Sequence, residues 1–261
     1  MKTGALRVIG SLLPALWLLS SCATQYYQLQ PVSGDVAQID GRRVTKTIAD
    51  SVEVVASFER EDMDYIALDV EVKNRTNRTL DIDPSAFRMT LLDANRQPLA
   101  QPGTVDFKQA ADPDYELERV PQKIRQEEAR LKRNKILNTV LMVAIVAADV
   151  ASTTAPKRNG REFSQYINTQ NNLAVAYTAL QAKRVIDHGT FADKMQRFRF
   201  EEYRWRELAM KRSQVEPGQS VRGYVYLPKA RAATYLNITY PTGTNTLELL
   251  FEQRLTKVRP R

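Results

Sequence analysis

The sequence predicts an antiparallel β-sandwich interrupted by a helical block, a mainly β fold with an α insertion. Three observations carry this. In residues 65–72, Ile66, Leu68, Val70 and Val72 fall on one side, and Tyr65, Ala67, Asp69 and Glu71 on the other. That is the period-two pattern of a strand with one buried face. The same alternation returns in residues 221–227, where Val221, Gly223, Val225 and Leu227 alternate with Arg222, Tyr224 and Tyr226. Between the two lie about a hundred residues of largely helical spacing. Half-sheets flanking such a block would each leave an apolar face in water. Closing one half on the other removes both faces.

The chain opens with Lys2 and Arg7, an apolar run from Val8 to Leu19, and the small residues Ser20 and Ser21 before Cys22. A basic start, a short apolar core and small residues at its end describe a secretory signal. Leu19-Ser20-Ser21-Cys22 resembles the lipobox of bacterial lipoproteins. The resemblance implies that residues 1–21 are removed and that Cys22 becomes a lipidated first residue, a membrane contact. Ala23 in the next position implies, by similarity to Gram-negative sorting, the outer membrane. The alternative is a free thiol in an ordinary signal or membrane anchor. Cys22 is the one cysteine in the chain, so no disulfide, CxxC pair or thiolate metal site can form.

Residues 22–50 are polar and broken by Pro31, Gly34 and Gly41, and read as a tether. Tyr26 and Tyr27 either rest at the headgroup level or pack on the domain. Residues 51–104 form the first half of the sandwich, with strands around Val52–Val55, 65–72, Leu80–Ile82 and Phe87–Leu91, separated by turns such as Asn74-Arg75-Thr76-Asn77. Residues 105–212 form the helical insertion. Its first helix runs from about Tyr115 to Ala151, with Pro121 near its start. A break follows at Pro156-Lys157-Arg158-Asn159-Gly160. A second helix contains Phe163, Tyr166, Ile167, Tyr177 and Leu180; Gly189 ends it, and Phe191, Met195, Phe198 and Trp205 belong to a third. Residues 213–261 form the second half, with strands at 221–227, Leu236–Tyr240 and Leu247–Phe251.

Val70-x-Val72-x-Asn74, Ile82-Asp83-x-x-x-Phe87-x-Met89 and Val215-x-Pro217-Gly218-x-x-Val221-x-Gly223-x-Val225 resemble the extracellular immunoglobulin-like domains of bacterial lipoproteins. The resemblance covers about residues 51–98 and 213–254. It implies an immunoglobulin-like β-sandwich with a binding or accessory role and no catalytic site. The helical insertion departs from that pattern.

No cofactor loop, nucleophile elbow or HExxH motif is present. The single histidine, His188, sits beside Gly189 and reads as a helix-end residue rather than a base. Glu59, Glu61, Asp62 and Asp64 lie between two strand signals and read as a solvated hairpin, because the glycine-bearing spacing of a calcium loop is absent. No catalytic residue, metal ligand or cofactor is expected. A weaker alternative remains a hydrolase using two converging carboxylates.

The chain carries 38 Lys+Arg against 30 Asp+Glu, and residues 105–212 alone hold 20 basic and 14 acidic residues. The positive excess therefore belongs to the insertion, and it bears on anionic surfaces rather than on fold. A secreted chain has no access to cytoplasmic nucleic acid. Within the insertion, residues 136–156 hold one charge, Asp149, between Lys132, Arg133 and Lys135 on one side and Lys157 and Arg158 on the other. Twenty-one residues suffice to span a bilayer. Eight Ile, Leu or Val contribute about −2 to −5 kcal/mol to insertion, and Asp149 costs up to about 3 kcal/mol, so spanning is marginal. Ala144, Ala147, Ala148 and Ala151 suit close packing, and a buried or partner-facing helix is the favoured reading. The residues expected to touch a protein partner, a second copy or a membrane are Leu137, Val140, Leu141, Val143, Ala144 and Ala148, with Lys132, Arg133 and Lys135 beside them. The function expected is a lipid-anchored, non-catalytic envelope module. The alternative is a subunit of an envelope transport or secretion assembly whose apolar helix packs in or on a membrane.

Overall fold

The computed structural model describes residues 25–39, 41–99, 107–155 and 159–257. The signal segment, Cys22, Lys157 and Arg158 lie outside the described residues. The chain divides into two compact units, one formed by Met1–Ala111 with Arg212–Arg261 and the other by Asp112–Lys211.

The first unit is built from antiparallel strands. Before the insertion come β1 (Gln25–Pro31), β2 (Asp35–Ile39), β3 (Arg42–Ala49), β4 (Val52–Asp62), β5 (Tyr65–Asn74), β6 (Leu80–Ile82), β7 (Arg88–Leu92) and β8 (Phe107–Gln109). After it come β9 (Ser213–Val215), β10 (Ser220–Pro228), β11 (Tyr235–Pro241) and β12 (Thr246–Lys257). One sheet has the order β1-β12-β11-β7-β8, a second β10-β5-β4-β3-β2, and β6 with β9 makes a two-stranded ribbon. Each sheet joins strands from both sides of the insertion. Val225 lies opposite Leu68 and Val221 opposite Val72 in β10 and β5; Ile238 lies opposite Met89 in β11 and β7.

The alternating residues form the core. Ile66, Leu68, Val70, Val72, Val225, Leu227, Leu236, Ile238, Leu247, Leu249 and Phe251 are all buried. Phe87 and Tyr240 stack with ring centroids 4.4 Å apart. Burying a side chain of this size stabilises a fold by about 1.5–3 kcal/mol, so this set dominates the unit's energetics.

Four expectations need correction. The fold is not mainly β, since 43% of the described residues are helical and 38% are in strands. Residues 25–49 are not a tether but β1, β2 and β3. Their partners explain the error: β1 pairs with β12, more than two hundred residues away, and β2 is exposed along its length, so neither shows a local alternation. Tyr26 and Tyr27 are half-buried strand residues. The inserted unit is Asp112–Lys211 rather than 105–212, because β8 pairs with β7. Gly189 does not end a helix; one helix runs from Gly160 to Tyr203. A single exposed glycine costs about 1 kcal/mol, less than the packing on either side of it contributes.

Two turns show local chemistry fixing the register. Gly34, between β1 and β2, has φ +78°, and a Cβ there would lie 2.6 Å from Thr45 Oγ1 and 2.7 Å from Lys46 O. Asp50 and Ser51, between β3 and β4, also take positive φ, 48° and 60°. The Asp50 carboxylate then accepts from Thr242 Oγ1 (3.0 Å), Thr244 Oγ1 (3.0 Å), Asn245 N (2.9 Å) and Asn245 Nδ2 (2.5 Å) in the β11–β12 turn. One carboxylate thus ties a turn of the second sheet to a turn of the first.

Asn74 does the same at greater sequence range. Fully buried at the end of β5, it donates through Nδ2 to Arg78 O (2.7 Å) and Val215 O (2.9 Å), and accepts at Oδ1 from Thr76 N (2.8 Å) and Thr76 Oγ1 (2.6 Å). Its backbone carbonyl accepts from Gly218 N (2.7 Å), and its amide donates to Gln219 O (2.9 Å). Both the 75–78 turn and the Pro217-Gly218 turn are therefore anchored on one residue.

Two outcomes follow for this unit. Asn74→Ala should lower stability by about 2–4 kcal/mol, because it orphans two carbonyls and two donors; urea unfolding followed by circular dichroism should show a lower midpoint at unchanged slope. The Asp50 carboxyl is held below the ordinary carboxylate range, chiefly by the side chain of Asn245. A depressed folded pKa gives stability that is present above the unfolded pKa of about 3.9 and is lost as pH falls through the folded one. Melting temperatures at pH 7 and pH 3 should therefore differ more for the wild type than for Asp50→Asn.

Candidate contact surface on the helical hairpin

The inserted unit is a pair of long helices, α1 (Pro113–Thr154) and α2 (Gly160–Tyr203). Asp112 caps α1, its carboxylate accepting from Asp114 N (3.0 Å) and Tyr115 N (3.4 Å), and Pro113 takes the first helical position, where its missing N–H costs nothing. Pro121 lies inside α1 and is exposed. Asn159 caps α2 by accepting from Glu162 N at 2.9 Å.

Side-chain contacts along the pair fix an antiparallel register. Lys123 meets Glu201 at 2.7 Å, Glu127 meets Lys194 at 2.6 Å, Asn138 Nδ2 donates to Asp187 Oδ2 at 3.3 Å, and Gln170 Nε2 donates to Asp149 Oδ1 and Ser152 Oγ, both at 2.8 Å. The half near the chain ends is charged and paired. Glu116 bonds Arg119 (2.9 Å), and Glu127 also faces Arg130 (3.6 Å). Much of the basic stretch from Arg119 onward is therefore a solvated, ion-paired face.

In the far half polar Asn138 and apolar Leu180 are buried, while most of the large apolar side chains of α1 face outward. Its seam holds polar groups: Asn138 is 3% exposed, and Asp149, Ser152 and Gln170 bond to one another across it. Its outer surface is apolar. Val143 is 63% exposed, Val140 60%, Ile136 58%, and Leu137, Leu141, Val146 and Val150 are also exposed. Ala144 and Ala148 are exposed beside them. Every apolar contact residue expected from the sequence is thus on the outside of α1. Burial of this segment within its own chain, part of the favoured reading, is not what the structure has. The helix is long and apolar enough to cross a membrane, and almost none of its apolar window is buried.

One feature escaped the sequence reading. Residues 163–182 of α2 contain no charged side chain, and the bonds above place them beside 136–155 of α1. The two charge-free stretches share one band of the hairpin. The signal was present as twenty consecutive uncharged residues, but Asn168, Thr169, Gln170, Asn171 and Asn172 hide it from a hydropathy scan. Asn168, Asn171 and Asn172 are exposed beside Phe163, Ile167, Val175 and Tyr177, so the outer surface of α2 in this band is uncharged and mixed, with amide side chains among apolar ones.

At the inner edge of the band, Lys132, Arg133 and Lys135 are exposed, and no ion pair holds them among the described residues. A groove of about 300 Å³ lies beside them, lined by Asn134, Lys135, Asn138, Arg184, Asp187 and His188. His188 is exposed.

Three members of the acidic cluster face cations within the β unit. Glu59 pairs with Arg42, Glu61 pairs with Lys229 (2.9 Å) and accepts from Tyr27 N (3.1 Å), and Asp62 faces Arg60 (3.8 Å). Asp83 caps the turn at Pro84–Ala86 and pairs with Arg212 at 2.8 Å. Among the described residues, no group of three His, Cys, Asp or Glu is placed to hold a metal ion. No family model, curated protein or solved structure matches the chain.

Proposed function

We propose that this chain is a lipid-anchored envelope protein, non-catalytic, in which an immunoglobulin-like β-sandwich carries a helical hairpin that makes the functional contact. The observation behind this is the exposed apolar surface of α1 over Ile136–Val150. Large exposed apolar patches on a folded chain mark association sites, and this one stands on an insertion that the sheets do not need for their pairing. The anchor rests on the lipobox-like Leu19–Cys22. Glu59, Glu61, Asp62 and Asp83 each face a cation, which supports a scaffold rather than a carboxylate site. A second reading, a subunit of an envelope transport or secretion assembly, is favoured by the shared charge-free band of α1 and α2, a feature suited to a membrane.

Cys22→Ser should shift the protein from the membrane fraction to the soluble fraction or leave it unprocessed; normal mass and fractionation of the variant would contradict the anchor. Replacing Asp112–Lys211 by a short Gly/Ser linker, while keeping β8, should leave a folded β unit that no longer co-purifies with its partner or membrane. Val143→Glu in the full chain should weaken the same association by about 2–4 kcal/mol, the cost of an unpaired polar or charged group at an apolar contact. Flotation and light scattering of the three proteins check this, and unchanged assembly in both insertion variants would contradict it.

A further inference from the structure

We propose that the far half of the hairpin lies in the plane of an anionic bilayer surface, with the outer face of α1 sunk into the acyl-chain boundary and Asn168, Asn171 and Asn172 of α2 left in water. This rests on the hairpin being the contact element, and it names what the hairpin touches.

The width of the apolar face comes first. The outward residues of α1, from Val146 through Val143 and Val140 to Leu141, cover roughly 200° of the helix circumference at 3.6 residues per turn. A helix packing on one neighbour needs a stripe of about 100°. One partner helix leaves much of this face in water, whereas an acyl layer covers all of it.

Charge decides against a second copy. Both ends of the band are basic, with Lys132, Arg133 and Lys135 at one end and Arg161, preceded in sequence by Lys157 and Arg158, at the other. Two copies paired face to face, parallel or antiparallel, would set basic ends against basic ends. Anionic headgroups complement both ends at once, and each Lys or Arg near such a surface contributes about fivefold in affinity. The ion pairs of the near half show that this chain supplies carboxylates where the helices face water. It supplies none to Lys132, Arg133 and Lys135 among the described residues.

The polar side chains decide between lying and spanning. The band is about 30 Å long at 1.5 Å per residue, which fits a bilayer core. A span, however, would press the exposed Asn168, Asn171 and Asn172 of α2 into hydrocarbon and carry Arg161 and Glu162 across. Lying in the surface plane leaves all of these in water and immerses the face of α1 to a depth of about 5–10 Å. Asp149, the one charge in the apolar stretch, already points into the seam toward Gln170.

The test uses the full mature chain with Cys22→Ser, so that binding by the hairpin is separated from the lipid anchor. Single cysteines replace Val143, Val150, Asn171 or Arg222 and carry an environment-sensitive fluorophore; all four sites are exposed or nearly so. Vesicles are phosphatidylethanolamine with one quarter phosphatidylglycerol, containing acyl chains with a quencher at carbon 5 or carbon 12. The expected result is at least twofold quenching at positions 143 and 150, equal at the two, stronger with the shallow quencher, and none at 171 or 222. Changing Lys132, Arg133 and Lys135 together to Gln should reduce vesicle binding about a hundredfold. The proposal is overturned if position 143 is shielded from aqueous iodide without acyl-chain quenching, which means a second copy covers it. It is equally overturned if the deep quencher dominates at 143 while 171 is quenched too, which means a span. If fractionation of the anchored protein fails to depend on Cys22, the anchor falls while the vesicle result stands.

Discussion

Asn74 is the residue on which the architecture turns. A chain that leaves a sheet, builds a hundred-residue hairpin and returns must re-form the sheet across a very long loop. Closing a long loop costs only slowly more entropy as it lengthens, but the closure must be specified. One buried amide does much of this, because its Nδ2 group bonds the carbonyls of Arg78 and Val215, residues on either side of the insertion. Its backbone holds the Pro217-Gly218 turn that leads into β10. With that turn set, Val221 falls opposite Val72, and the alternation of β10 meets that of β5 in the correct register. A slip of one residue would turn the apolar side of β10 outward.

The β unit was legible in the sequence where a strand has one buried face. Residues 65–72, 221–227 and 247–251 alternate, and all three became core strands. Strands whose identity depends on distant pairing were not legible. β1 gains its place from β12, and β3 from β4; the fully buried Thr45 sits in a segment that reads as polar. Of the residues that suggested a tether, Gly34 and Gly41 lie in turns between strands, and Pro31 ends β1 opposite Phe251. Gly34 is there because the backbone of Lys46 and the side chain of Thr45 leave no room for a Cβ.

On the hairpin, composition revealed the apolar segment but not its surroundings. Periodicity cannot say whether an apolar helix is covered, because burial is a property of neighbours. The polar residues Asn138, Asp149 and Ser152 look in the sequence like flaws in a span. In the structure they bond across the pair, Leu180 is buried as well, and Ile136, Val140, Val143 and Val150 of α1 face outward. That outward apolar face is what separates this helix from the core helix of a soluble bundle. The acidic cluster reads from sequence as a solvated hairpin, and two of its cations, Arg42 and Lys229, come from elsewhere in the chain, where no local pattern announces them.

The pairing of β1 with β12 bears on the order in which the molecule is assembled. The two strands lie more than two hundred residues apart, so the sheet that holds β1 cannot close until the chain has been made through β12. α1 and α2 are consecutive, and contacts of short sequence separation form fastest. During synthesis the hairpin would therefore be in place before the β unit that carries it.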